Sequence, residues 1–129
     1  MKKFLIVLFC LVLVIGLAAC GDNSSSSSSD DATSTTWPTD GPASMVAKPD
    51  FGTIDKVKID YDYPTINMSD VTRENYDAYN ETLKADDSLV IYQEKDDMII
   101  FHNQKEKFYC TTMYYGDSKT MQVLFGEMD

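Results

Sequence analysis

From residue 54 onward, apolar and polar residues alternate over several short segments, which is the period of half-buried β-strands. Five segments follow this period: 54–61, 89–93, 98–102, 108–115 and 120–125. The first contains one slip in the alternation. Pro64 follows this first segment and disfavours its continuation as a strand. Residues 65–68 are therefore expected at most to extend an edge strand. Short polar turns separate the last four segments, which favours an antiparallel meander.

A helical period of apolar residues lies between the first and second of these strands. Thr72 is a good N-cap, and Glu74 suits the positive end of a helix dipole. Three apolar residues at spacings of three and four mark one face: Tyr76, Tyr79 and Leu83. The sequence therefore predicts a helix over residues 73–85, with this face packed on the sheet.

These elements predict a single α+β domain over residues 37–129. One helix packs on an antiparallel sheet of about four to five strands, after an irregular lead-in with several glycines and prolines. A domain this small buries little interior, so we expect it to bind partners on its surface rather than in a deep cavity.

The residues before this domain have a different character. Lys2 and Lys3 precede an apolar run over residues 4–19, which is shorter than the roughly 20 residues that span a bilayer. The run ends in Leu17-Ala18-Ala19-Cys20, which resembles the lipobox of bacterial lipoproteins. We therefore expect residues 1–19 to be a removed signal peptide and Cys20 to be lipidated. Acyl chains such as palmitate would then hold the protein on the extracytoplasmic face of the cell membrane.

Residues 20–36 join the lipidated cysteine to the predicted domain. This segment contains six consecutive serines and, after Cys20, a single apolar residue, Ala32. It therefore cannot bury enough apolar surface to offset the entropy lost on ordering. The sequence predicts a flexible tether. Its serines and threonines could also carry sugars, although a plain spacer is the favoured interpretation.

Charge and cysteine content exclude some classes of function. The formal net charge is −10, which disfavours binding to nucleic acid or to anionic headgroups and agrees with simple solubility. Cys10 lies in the predicted leader and Cys20 is the acylation site, so only Cys110 remains as a thiol. We expect Cys110 to be a buried strand residue without reactivity.

No set of residues has the spacing of a catalytic or metal-binding motif. His102 is the only histidine, which rules out a zinc site of Cys and His ligands. A nucleophilic pair of Cys110 and His102 lacks an orienting third group. The acidic doublets do not fit a calcium-binding loop. No catalytic residue, metal or cofactor is predicted.

Eight tyrosines fall within the predicted domain, and tyrosine recurs at surfaces that bind carbohydrate or peptide. Most must serve as core in a domain of this size. The adjacent pair Tyr114 and Tyr115, beside Gly116, is the best candidate for an exposed binding surface.

Several short motifs resemble a family of small bacterial lipoproteins that share an extracytoplasmic domain of unknown function. The motifs are Trp37-Pro38, Lys48-Pro49 before Phe51-Gly52, Asn67-Met68-Ser69, Tyr76-Asp77-Ala78-Tyr79 and Leu83-Lys84. In that family a glycine and an aromatic residue usually follow the helix, whereas this chain has Asp86-Asp87-Ser88-Leu89. The resemblance implies no activity and no functional residues.

The sequence favours a membrane-anchored lipoprotein that binds a protein, a peptide or a wall glycan without catalysis. The alternative is an accessory or inhibitory subunit of a cell-envelope complex, which would dock through an exposed sheet edge or a tyrosine patch. An enzyme is the least favoured of the three.

Overall fold

A six-stranded antiparallel sheet dominates the structure, a computed structural model that describes residues 34–129. In chain order the elements are α1 (Gly41–Ser44), β1 (Thr53–Asp60), β2 (Tyr63–Ser69), α2 (Arg73–Lys84), β3 (Val90–Lys95), β4 (Met98–Asn103), β5 (Phe108–Tyr115) and β6 (Thr120–Glu127). The strands lie in the order β1-β2-β6-β5-β4-β3. The prediction of an antiparallel sheet that carries a helix is confirmed. The predicted count of four to five strands is wrong, and strand predominates over helix.

The additional strand is β2, which the sequence predicted only as an edge extension. It lies inside the sheet, between β1 and β6. Pro64 pairs with Ile59 of β1, but the pairing of β2 with β6 begins only at Thr65. The proline therefore lies before the stretch in which β2 is paired on both sides, and its missing N–H leaves that stretch intact.

The hairpin of β1 and β2 explains the slip in the alternation of the first segment. The register shifts between Ile54 and Lys56, so a bulge turns the following side chains. Val57 is buried as expected, whereas Ile59 is 51% exposed and Tyr61 is 96% exposed. Tyr61 and Asp62 form the two-residue turn, and both have the positive φ that a tight hairpin turn requires.

Helix α2 begins and ends where its local signals place it. The Thr72 side chain accepts a hydrogen bond from the Asn75 backbone N–H at 3.2 Å, and the Asn75 side chain accepts one from the Thr72 N–H. This reciprocal pair satisfies two donors at the helix start. The three predicted contact residues, Tyr76, Tyr79 and Leu83, are all buried. The prediction of this helix and of its buried face is confirmed.

The hydrophobic core lies on one side of the sheet, between the strands and a layer made of α2 and the lead-in. Trp37 donates a hydrogen bond from Nε1 to the Ala43 carbonyl oxygen at 2.9 Å and packs edge-on against Phe125. The Tyr79 hydroxyl donates to the Ala47 carbonyl oxygen at 2.9 Å. These bonds hold the irregular lead-in against the same side of the sheet as α2.

The predicted signal peptide, the predicted lipidation site Cys20 and residues 20–33 of the predicted tether lie outside the described residues. Ser34 is described, and its backbone exchanges two hydrogen bonds with Val57 on the outer side of β1, with N···O distances of 2.7 and 3.3 Å. Among residues 34–129, no helix has the length and apolar character needed to cross a membrane.

Candidate functional site

The side of the sheet opposite α2 is the candidate functional surface, and we call it the open face. On the four central strands its positions are Tyr63, Thr65, Asn67 and Ser69 of β2, Thr120, Gln122, Leu124 and Gly126 of β6, Tyr109, Thr111, Met113 and Tyr115 of β5, and Met98, Ile100 and His102 of β4. Most of these residues are half-buried by their strand neighbours. Neither α2 nor the lead-in packs on this side.

The four central strands of the open face lack charge in a domain that is otherwise highly charged. Residues 34–129 contain 18 acidic and nine basic side chains. None of these 27 occupies an open-face position on the four central strands, and the nearest flank the face on the outer strands, such as Lys58 on β1 and Lys95 on β3. The surface that remains is made of hydroxyl, amide, aliphatic and aromatic groups, which suits a neutral ligand rather than an ionic one.

The tip of a tyrosine ring lies over the backbone of the open face. Tyr109 pairs with Gly126 across β5 and β6. A Cβ placed on Gly126 would overlap the Tyr109 ring, since it would lie 2.2 Å from both Cζ and Oη. The ring therefore occupies the space of the missing side chain, and its outer surface replaces part of the sheet surface over β6. A glycine inside a strand often marks such a close approach.

A second aromatic platform lies on β4, in the same cross-strand row. His102 pairs with Tyr109, and Tyr92 stacks on the His102 ring with centroids 4.2 Å apart and planes inclined by 10°. Tyr92 reaches His102 because it is the extra residue of a bulge between Ile91 and Gln93. Tyr92 remains 68% exposed, so most of its ring is available to a ligand.

Two cross-strand rows away from these aromatic residues, beyond the row of Leu124 and Thr111, β2 and β6 carry a pair of amides. Gln122 donates a hydrogen bond from Nε2 to the Asn67 Oδ1 at 2.9 Å, and the two residues are direct cross-strand partners. The bond fixes the orientation of both amides. Each amide group keeps a further polar atom with which to bind a ligand.

The two tyrosines that the sequence singled out lie on opposite sides of the sheet. Tyr114 stacks on Tyr76 of α2 with centroids 5.3 Å apart, so it belongs to the side that α2 covers. Tyr115 is 49% exposed on the open face, at the end of β5 remote from Tyr109. Neighbours along a strand point to opposite faces, so the pair does not form one surface.

On the covered side, Arg73 joins the start of α2 to the β3–β4 turn. Its guanidinium binds Asp97 at 2.6 Å and Asp77 at 3.0 Å, and Nη2 donates to the Asp96 carbonyl oxygen at 2.6 Å. The hydrogen bond to Asp77 is the main cause that raises the pKa of Arg73. The carbon of the guanidinium also lies 5.6 Å from the Tyr76 ring centroid. These partners engage all three guanidinium nitrogens, so Arg73 ties α2 to the β3–β4 turn.

The remaining candidates for chemistry are dispersed. Cys110 is fully buried, and burial raises the pKa of its thiol, so it stays protonated and inert. It pairs with Phe101 on β4, whereas His102 occupies the next position on the opposite face. The two residues therefore do not form a nucleophilic pair. In the part of the chain that the structure describes, no three His, Cys, Asp or Glu side chains are grouped as metal ligands.

Two depressions lie away from the open face. One, of about 760 Å³, lies beside the lead-in and the start of β1, around Asp50 and Phe51. The other, of about 320 Å³, separates α2 from the β3–β4 hairpin, and its rim holds the pair of Lys84 and Glu94 at 2.6 Å. Its floor includes Asn80, whose Nδ2 has no hydrogen-bond partner among the described residues. Ion pairs within the chain engage the charged groups of Arg73, Asp77, Glu81, Lys84 and Glu94 around this second depression, whereas Lys95 and Asp96 form no ion pair among the described residues.

Comparisons of the chain with models of protein families, with curated proteins and with solved structures found no match. The resemblance of its motifs to small bacterial lipoproteins stays a prediction from the sequence.

Proposed function

We propose that this protein is a lipoprotein, anchored through Cys20 to the extracytoplasmic face of the cell membrane, that binds an envelope component without catalysis. The open face is its binding surface. The observation that carries this proposal is the absence of charge from the four central strands of that face, since none of the 27 charged side chains of residues 34–129 occupies an open-face position there. An uncovered surface of this kind is typical of an interaction site.

The test measures how the full chain that carries Cys20→Ala binds to washed envelope fragments. Because this substitution removes the lipid anchor, any binding comes from the domain itself. Leu124→Glu places a carboxylate in the middle of the open face, between its partners Thr65 and Thr111. We expect binding to weaken by about tenfold or more, because an unpaired buried charge at the centre of an interface is costly.

Ala78→Glu is the matched control, because it adds the same charge on an exposed position of α2. We expect it to leave binding unchanged. Equal binding of the two variants would contradict the assignment of the open face. A chain that does not bind envelope fragments at all would contradict the binding module itself.

The second candidate function, an accessory or inhibitory subunit of an envelope complex, is favoured by the edge of β3. Three consecutive apolar residues of this edge strand are exposed: Val90 by 52%, Ile91 by 42% and Tyr92 by 68%. No strand in residues 34–129 pairs with the outer side of β3, whereas Ser34 covers part of β1. A strand of a partner protein could extend the sheet here. Slower amide exchange of β3 in cells that contain the partner would support this function.

A further inference from the structure

We propose that the edge strand β3 pairs with an extended segment of an envelope protein that has an apolar centre and lysine or arginine residues at both ends. This inference rests on the second proposed function, in which a partner strand extends the sheet, and it names the chemistry of that partner. The exposed run Val90-Ile91-Tyr92 meets the apolar centre, and the acidic residues before and after β3 meet the basic ends.

The exposed apolar residues of β3 face both sides of the sheet, which selects a strand as the occupant. Val90 pairs with His102 on the open face. Ile91 pairs with Phe101, which is completely buried on the side that α2 covers. A ligand that lies on one face of the sheet would contact only one of the two exposed residues. A strand beside β3 contacts both, because its side chains alternate between the two faces.

The outer side of β3 is the less protected of the two sheet edges. Charged side chains on an edge strand and a covering segment oppose pairing with another chain. Ser34 covers part of the other edge strand, β1, four of whose eight residues are charged: Asp55, Lys56, Lys58 and Asp60. In β3 only Glu94 and Lys95, at its end, are charged, and no described residue pairs with its outer side. Each edge strand has one bulge, so the bulges do not distinguish them.

Acidic doublets flank β3, which sets the charge of the partner. Asp86-Asp87 precedes the strand, and Asp96-Asp97 forms the turn that follows it. Lys95 is the one basic residue within 86–97. Asp97 is paired with Arg73, whereas Asp87 and Asp96 are exposed and form no ion pair among the described residues. Basic residues at the ends of a partner strand would therefore meet carboxylates that are free to pair with them.

The same doublets oppose a second copy of the chain as the partner. When two antiparallel copies bring residues 90–92 together, residues before the run in one copy lie beside residues an equal number of positions after it in the other. Asp86-Asp87 of each copy then lies within about one residue of Asp96-Asp97 of the other, and like charges in such positions are destabilising. A partner with basic ends converts this repulsion into attraction.

The test is calorimetric titration of the full chain that carries Cys20→Ala with two synthetic peptides of about ten residues, long enough to form one strand. In both peptides valine and threonine alternate, between pairs of lysines in one and between pairs of glutamates in the other. We expect the lysine peptide to bind with a Kd about tenfold lower or more, and added salt should narrow the difference. The bound lysine peptide should also slow the amide hydrogen exchange of β3.

Val90→Lys places a charge in the exposed run and should raise the Kd for the lysine peptide by about tenfold or more. Ile59→Lys is the matched control, because Ile59 is 51% exposed on one edge strand and Val90 is 52% exposed on the other. The two edges are five strand spacings apart, or about 24 Å, which exceeds the range of screened charge. Ile59→Lys should therefore leave the Kd within about twofold of the unaltered value.

Absence of binding by the lysine peptide would overturn the proposal, and so would equal affinities of the two peptides or equal losses from Val90→Lys and Ile59→Lys. If exchange of β3 slows as the concentration of the chain alone rises, the partner is a second copy and the proposal fails. Protection of β3 in cells without binding of the lysine peptide would overturn the chemistry of the partner and leave the second proposed function intact. Protection of β3 in neither experiment would overturn that function as well.

Discussion

A buried polar pair joins α2 to the sheet, and its replacement tests how the two layers are held together. The Thr112 Oγ1 donates a hydrogen bond to the Asn80 Oδ1 at 2.7 Å, where Thr112 is 0% and Asn80 is 2% exposed. The Asn80 Nδ2 has no partner among residues 34–129. The pair therefore contains one hydrogen bond and one donor without a partner. Substitution of Thr112 and substitution of Asn80 should consequently lower the free energy of unfolding by different amounts.

Thr112→Val keeps the shape of the side chain and removes the donor, which leaves the buried Asn80 amide without any partner. We expect the free energy of unfolding to fall by about 1 to 3 kcal/mol, the cost of an unsatisfied buried group. Asn80→Leu strands the Thr112 hydroxyl but also removes the unpaired N–H, so its cost should be smaller. The double variant contains neither polar group and should be more stable than Thr112→Val alone.

Urea unfolding of the four proteins measures the interaction energy of the pair. We expect a coupling of about 0.5 to 3 kcal/mol, with similar m-values throughout. If the two single effects add to the effect of the double variant within about 0.5 kcal/mol, the pair is not coupled. The helix would then be held on the sheet by apolar packing alone.

Three further substitutions or measurements test other parts of the chain. Leu83→Ala should lower the free energy of unfolding, measured by a urea melt, by about 2 to 5 kcal/mol, because Leu83 is completely buried. Lys84→Ala should lower it by at most about 1 kcal/mol despite the ion pairs of Lys84. Equal losses would contradict the assignment of Leu83 to the core. A thiol reagent should label Cys110 slowly in native protein and quickly in denaturant, and equal rates would show it exposed. Cys20→Ala should abolish fatty-acid labelling in cells, and persistent labelling would refute lipidation at Cys20.

Elements with strong local signals could be predicted from the sequence. Thr72 and Asn75 cap α2 through contacts within one turn, and the β3–β6 meander has short polar turns between its strands. The position of β2 could not be predicted in this way. Its place between β1 and β6 depends on pairing with residues more than 50 positions away, such as Asn67 with Gln122, whereas Pro64 gives a local signal against a strand.

The candidate site was harder to predict than the fold because its members meet only through register. Alternation tells which residues of one strand share a face, but it does not tell which residues of the next strand lie beside them. The contact of Tyr109 with Gly126 requires β5 and β6 to pair at one particular offset. Tyr92 stacks on His102 only because of a bulge in β3. Gly126 lies just beyond the segment 120–125 that the sequence predicts, so no local signal marks this contact.

The distribution of charge connects the fold with the proposed function. An uncovered sheet face with apolar and aromatic residues favours association with other copies of the chain. In residues 34–129 the acidic side chains exceed the basic ones two to one, and none of either sign lies on the open face of the four central strands. Each domain therefore carries a net negative charge, which opposes self-association at long range. A partner without net negative charge does not experience this repulsion, so the net charge that opposes contact between two copies leaves the open face accessible to the proposed envelope component.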